Sequence, residues 1–425
     1  MNVATALPMQ ESVPAPAAEM PEPITERQVG DAYTEAASGT WEGYSDGACG
    51  TSARLPLKPC FGGLNLLYFG LESGSARTVA GGLNGFSSSA VDPENSVGFE
   101  ITAGKYLKCG RFGLGLTYFN WNPGTESEIR SGGAGTIVSW IPSYNGIEVD
   151  PDGVGAVAAG NVFGIIDGTD AGYAGATDVR LTRDVSFQGI EANLYCFGLM
   201  GARRASYANC CPPRHCLASK LGFGKHGCYG YGGAAGPLVR ACNGRIRVMA
   251  SHGLRWMQIS DDLELAYNID GTVGYQATDI YDRVDIENNL YGYQFGGQLN
   301  YCLSSRLSMN IGGKFGLYAN HAQKQHRIGS ETDLAYISGS PTDVISTTDS
   351  DTGLASIGEF DMGLGYRLGC AWTVRGGYRL IGITGVATAW DSLPNSYASV
   401  AESGTVHADD SYLLHGGYFG LEYNW

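Results

Sequence analysis

The sequence predicts an all-β fold: a transmembrane, antiparallel, up-and-down β-barrel of about ten strands, with twelve left open, carrying a Cys-rich insert. Three observations predict it. Gly supplies 64 of 425 residues, aromatics 11% and Tyr alone 25 residues. Apolar and polar residues alternate in repeated segments from Phe61 onward, and the chain ends inside such an alternation, at Trp425. Gly costs roughly 1 kcal/mol at each helical site, so the composition disfavours helices. Strands joined by tight turns and ringed by aromatic belts use it well. No run of about 18 apolar residues occurs, which disfavours a transmembrane helix and leaves a barrel open, because only alternate residues need face lipid.

Ten alternating segments follow in order, at about 61–72, 95–108, 111–122, 179–196, 248–266, 284–302, 306–319, 355–369, 371–384 and 410–425. The pattern is cleanest from Arg306 to Tyr318. There Leu307, Met309, Ile311, Phe315 and Leu317 share one face, and Ser308, Asn310 and Lys314 the other. Short connections, around Cys109-Gly110, Ser304-Ser305 and Gly369-Cys370, alternate with long ones at 73–94, 123–178, 267–283, 320–354 and 385–409. Short periplasmic turns and long outer loops are the expected asymmetry of an outer-membrane barrel. The stretch 197–247 is the exception, a long insert on the short-turn side. The 123–178 loop has room for a further hairpin, which is why twelve strands stay open.

The final strand carries Tyr418, Gly420, Tyr423 and Trp425. Their order resembles the terminal-strand signal of bacterial outer-membrane barrels, which the barrel-assembly machinery reads. Alternation within each segment places Glu100, Glu191, Glu359, Asp361 and Glu422 inward, together with Arg255, Lys314, Arg367, Arg375 and Arg379. Charges of both signs survive inside a barrel when water or partners satisfy them. A barrel of about ten strands leaves little free bore, whereas porins use sixteen or more. The expectation is therefore a restricted passive pore embedded in outer-membrane lipid, or a closed barrel that only anchors the envelope.

Formal charge is −15, which argues against nucleic acid as a partner. Its distribution is uneven. Eight Lys or Arg and no acid lie between Phe197 and Arg247, whereas eight acids face Arg130 alone between Pro123 and Asp178. Residues 1–60 form an acidic N-terminal extension, rich in Pro, Ala and Glu at its start, that reads as largely disordered; the barrel is expected over 61–425. A charged-then-apolar signal peptide is not visible.

Eleven cysteines all map to the expected periplasmic end: Cys49, Cys60, Cys109, Cys196, Cys210, Cys211, Cys216, Cys228, Cys242, Cys302 and Cys370. The segments rest on hydrophobic period alone, so this clustering supports the topology independently. In an oxidising compartment the thiols are expected to pair, stapling the insert under the barrel mouth. The odd one is left for a second copy or an envelope partner. Zinc is disfavoured, because Cys210, Cys211, Cys216, Cys228 and His226 lack two paired Cys-x-x-Cys units. No cofactor motif is present: neither a phosphate-binding loop, a dinucleotide fingerprint nor a zinc-protease pair. His407 beside Asp409 and Asp410, and His321 with Ser330 and Asp333, are the nearest approach to a hydrolytic constellation. Neither has a recognised nucleophile spacing, so an outer-membrane hydrolase is the least favoured alternative and no enzyme is expected.

Several stretches carry a family resemblance. The run from Trp372 through Arg375, Gly376, Gly377, Tyr378 and Arg379 to Ala387 resembles the penultimate strand of planctomycete-type outer-membrane β-barrels. These are similar in pattern to the pore-forming major outer-membrane proteins of Legionella type. Ile190-Glu191-Ala192-Asn193-Leu194 and Gly253-Leu254-Arg255-Trp256 fit the same pattern. The resemblance covers roughly 61–425. It implies an outer-membrane location and a pore or structural role, and transfers no catalytic residue. The Cys-rich insert departs from it.

Overall fold

The computed structural model of the chain describes residues 60–73, 78–80, 86–107, 112–131, 147–148, 178–197, 206–207, 233–234, 246–268, 273–304, 306–337, 340–368, 371–393 and 399–425. Ten strands close into one antiparallel barrel: β1 (Cys60–Ser73), β2 (Ser96–Leu107), β3 (Phe112–Trp121), β4 (Asp178–Phe197), β5 (Ile246–Asn268), β6 (Ile280–Cys302), β7 (Leu307–Gly329), β8 (Ser346–Arg367), β9 (Trp372–Val386) and β10 (Asp410–Asn424). Each pairs with its neighbours in sequence, and β10 returns to β1 from Phe61↔Asn424 to Ser73↔Tyr412. Backbone bonds between Cys60 and Trp425 finish the seam. The count is ten, not twelve. The 123–178 connection adds a short extra strand, Thr125–Ser131, which joins β4 where β3 has ended.

Register fixes the barrel's geometry. Following paired residues once round from Thr352 passes His321, Asn289, Gln258, Gln188, Asn120, Phe99, Leu66, Phe419 and Gly376 and returns to β8 at Leu364, 12 residues away. A stagger of that size over ten strands corresponds to a strand tilt of about 40°. This row of outward residues climbs as it turns. From Leu364 to Phe99 it is apolar or Gly, and from Asn120 to Thr352 it is polar, so it leaves the lipid-facing band at Asn120. Tyr68, Tyr291, Tyr293 and Tyr378 are exposed along that border, the aromatic belt that lets a ring sit half in lipid and half in water.

Strands β6, β7 and β8 run further than alternation alone suggests, starting at Ile280, ending at Gly329 and starting at Ser346. Past the apolar band their outward residues turn polar, as at Gln323 and Gln325, while Ala322 and Ile328 remain buried inside. A pattern sought in lipid-facing residues stops at the lipid, although the wall continues beyond it.

Inside, wall side chains form successive layers. We call the end holding Cys60 and Trp425 the terminal rim, and the other the far rim. A charged layer comes first from the terminal side. Above it lies an apolar layer including Phe69, Trp121, Phe187, Met257, Ile357 and Leu414, each at most 1% exposed. A polar ring follows, in which Arg183 Nε donates to Asp261 Oδ1 at 2.8 Å and Nη1 meets Asp92 Oδ1 at 2.9 Å. Tyr412 OH donates to Asp261 Oδ2 at 2.6 Å. A second apolar cluster, with Val179, Leu265, Ile286 and Ile328, occupies the far end.

The β9–β10 connection, expected as an outer loop over 385–409, enters that far end. Trp390, Leu393 and Val406 are buried in the second apolar cluster, and Val400–Gly404 forms a single helical turn capped by Ser399. Gly385 makes the entry: its φ is +78° and an added Cβ would meet the Leu354 carbonyl oxygen at 2.4 Å.

The expected staples are absent at the two thiols the structure describes. Cys60 and Cys196 are free. They sit on β1 and β4, with two strands between them, so their backbones stand about 14 Å apart, twice the reach of a disulfide. Cys302 ends β6. Cys49, Cys109, Cys210, Cys211, Cys216, Cys228, Cys242 and Cys370 lie outside the described residues, as do most of the insert and most of the N-terminal extension.

Candidate functional site

The inward positions of β2, β4, β5, β7, β8 and β9 converge on the charged layer. Period-two geometry brings them there: residues on one face of each strand repeat every second position and meet their neighbours across the wall. Glu191 and Glu359 face Arg255 and Lys314. Arg255 Nη1 lies 3.3 Å from Glu191 Oε1 and also contacts Glu359. Lys314 Nζ lies 2.9 Å from Glu191 Oε2 and 3.3 Å from Glu359 Oε2. Gln294 Nε2 and Asn193 Nδ2 donate to Glu191 Oε2 at 2.9 and 2.8 Å, and Tyr318 OH donates to Gln294 Oε1 at 3.2 Å. The four charges form a closed ring of alternating sign, further fixed by neutral donors.

A second pair lies beside it. Arg379 Nη1 donates to Glu100 Oε2 at 2.7 Å, and Asn65 Nδ2 donates to Glu100 Oε1. Nearer the terminal rim, Arg375 Nη1 meets Glu422 Oε1 at 3.0 Å, and Asp361 Oδ2 accepts from Asn310 Nδ2 at 3.0 Å. Arg367 lies at the terminal end of β8. These ten residues comprise five carboxylates and five cations, so they carry no net sign.

Solvent access falls steeply through the layer. Side-chain exposure is 39% at Glu422, 27% at Arg375 and 30% at Lys314, but 2% at Arg255. Side chains thus keep appreciable exposure from the terminal rim as far as Lys314 and lose it at Arg255, beneath the apolar layer. The vestibule is polar and the far half is filled.

The terminal-strand residues divide between faces. Tyr418 and Gly420 point inward; Asn310 Nδ2 reaches Tyr418 OH at 3.5 Å and the Arg379 guanidinium lies 5.4 Å from its ring. Gly420 is required by close approach, since an added Cβ would sit 1.9 Å from Asn65 Oδ1. Tyr423 packs at a tilt against Trp372 at 4.2 Å and stacks on Trp425 at 5.7 Å, an aromatic cluster at the terminal rim.

The histidine groupings do not assemble. His321 Nδ1 meets Thr352 Oγ1 at 3.2 Å, whereas the Ser330 hydroxyl is engaged with Thr332 and the Asp333 backbone. His407 is exposed, and Asp410 accepts from Thr388. Three far-end groups escaped the sequence reading. Lys324 Nζ donates to the carbonyl oxygens of Ser392 and Thr405 at 2.6 and 3.1 Å. His326 lies between the Ser403 carbonyl and Asp282, at 3.0 and 2.9 Å. Asn288 holds both backbone groups of Ala387, at 2.8 and 2.9 Å. Parity could have found the first two, because Lys324 and His326 continue the even-numbered inward face that contains Lys314.

Comparison with known proteins fits this geometry. The family described as "Putative beta barrel porin-7 (BBP7)" matches residues 70–425. The chain belongs to the BBP7 family. Its match runs from within β1 to the last residue and so covers nearly all of the ten-strand wall. That places the chain among porin-type outer-membrane β-barrels. No curated protein sequence matches it. Among solved structures, it is similar to the translocator domain of autotransporter NalP from Neisseria meningitidis (8% identity, 93% of this chain and 98% of that one, TM-score 0.34). It is also similar to a major outer membrane protein from Thermus thermophilus (11%, 86% and 99%, 0.28). A third is the P. putida toluene transporter TodX (8%, 87% and 91%, 0.27). At these TM-scores the likenesses carry no argument about what passes through the BBP7 barrel.

Proposed function

We propose that this BBP7 barrel is a restricted passive pore of the outer membrane whose resting state is closed. A polar vestibule opens at the terminal rim, which we assign to the periplasmic side. It ends at the ring of Glu191, Arg255, Lys314 and Glu359. The observation that carries this reading is the drop from 30% exposure at Lys314 to 2% at Arg255 under a continuous apolar layer. Moving an ion through that layer means leaving water without a partner, which costs several kcal/mol or more. The balanced charges of the ring give neither cations nor anions an advantage. Conduction then requires the ring and the layer above it to open together, so brief small openings are expected in single-channel recording. A large, long-lived open state in the unaltered protein overturns the reading.

A second reading, a barrel that serves only the envelope's structure, draws on the same filled interior. In it the cysteines join the insert, a second copy or an envelope partner, and the terminal strand serves assembly alone. Protein taken from envelopes under non-reducing conditions should then migrate differently from the reduced sample. Identical mobility would remove the cross-linking role.

A further inference from the structure

The far end of the barrel is a blind apolar cup. Its wall includes Leu265, Ile286 and Ile328, and its floor is the polar ring above the sealed layer. Residues 387–393 and 399–406 of the β9–β10 connection occupy it as a cap, inserting Trp390, Leu393 and Val406. Two features set this contact apart from the rest of the interior. First, Lys324 is 1% exposed and its ammonium meets only the carbonyl oxygens of Ser392 and Thr405. Among the described residues no carboxylate reaches it at ion-pair distance, unlike Lys314 in the charged layer. Asp282 and Asp349 act on it only from beyond that distance, so the buried ammonium has no direct ion-pair partner, an incomplete arrangement. Second, four buried polar atoms where cap and wall meet have no hydrogen-bond partner: Asn320 Oδ1, Thr347 Oγ1, Trp390 Nε1 and Ser392 Oγ. Buried polar groups are ordinarily satisfied, so such a concentration marks a contact that another occupant can improve on.

We propose that the cup is a binding site for an amphipathic molecule with an alkyl chain and one anionic head, and that the cap holds it shut. The cap is a stand-in for that ligand. Its apolar side chains fill the space of the chain, and its backbone carbonyls supply the acceptors that an anionic head would offer Lys324 with full charge. The proposal rests on the closed-barrel reading for the floor of the cup only.

The test uses the full-length protein in liposomes and measures protein-dependent binding of laurate and of dodecanol, its uncharged counterpart. Trp390→Ala loosens the cap and is expected to tighten laurate binding at least tenfold over the unaltered protein. Adding Lys324→Met to Trp390→Ala is expected to weaken laurate binding at least tenfold while leaving dodecanol binding unchanged. Lys324→Gln should act in the same way, which guards against an effect of one side chain's shape. Equal laurate binding with and without Lys324, or no protein-dependent binding by a Trp390→Ala protein that retains heat-modifiable folded mobility, overturns the proposal. A steady conductance in the unaltered protein would remove the closed floor and leave these binding results to judge the site at Lys324.

Discussion

At the scale of single residues, Arg255 decides whether the charged layer holds. It bridges Glu191 and Glu359, and at 2% exposure water cannot replace it. Arg255→Met leaves two buried carboxylates with Lys314 alone. Breaking a buried ion pair by removing one partner costs about 3–5 kcal/mol, and that loss is expected in denaturant unfolding from lipid vesicles. Adding Glu359→Gln should restore part of it, because the excess charge is then gone. A loss below about 1 kcal/mol for Arg255→Met would mean that the ring is not structural. On the outside of β5, well beyond the apolar band, Asp262 stands level with Asp184 and Asp285. Partial burial, then the charges of Asp285, Asp261, Asp184 and Glu287, push its carboxyl up to about 7. Its unfolded value is about 3.9, so the folded state holds the proton more tightly. The stability Asp262 contributes is fully present below about pH 4 and is lost as pH rises through about 7. Thermal stability of the unaltered protein should therefore fall relative to Asp262→Asn between about pH 4.5 and 7.5; parallel profiles would contradict the shared-charge account.

At the scale of elements, the strands and the cap obey different logic. Strands β1 to β3 barely exceed the lipid, and their residues alternate plainly between lipid and lumen. Strands β5 to β7 carry 23 residues each, and their far halves alternate between water and an interior cup. The same period thus serves two environments. Only the inner face is constant: Tyr318, Ala322 and Ile328 continue the face of Lys314 through the change. The cap has no period to read. Residues such as Ala387, Ala389, Trp390 and Leu393 look like an ordinary apolar-spotted loop, and their burial depends on Asn288, Asn320, Asp261 and Lys324, each from a strand 60 or more residues earlier. Long-range hydrogen bonds of this kind leave no local pattern.

For the whole molecule, the ten alternating segments locate all ten strands, and the face of each charge is read from the alternation within its own segment. Lys314 and Glu359 could be assigned to the lumen in this way because each stands opposite the apolar face of its own segment, even-numbered in the first and odd-numbered in the second. Their assembly with Glu191 and Arg255 into one ring was not legible, because it depends on a stagger of 12 residues that only the closed wall defines. Nor was the filled far half. Phe69, Trp121, Phe187 and Leu414 read as more barrel wall, and their inward parity marks a seal only once the neighbouring strands are placed. The proposed closed state rests on this narrow wall being packed with side chains across its bore. Single-channel recording in planar bilayers tests that most directly, comparing the unaltered protein with a Phe187→Ala, Met257→Ala, Arg255→Ala variant in which layer and ring are both thinned. The account predicts at most brief, small openings for the first and a sustained current for the second. A stable large conductance in the unaltered protein, with the variant indistinguishable from it, would contradict it.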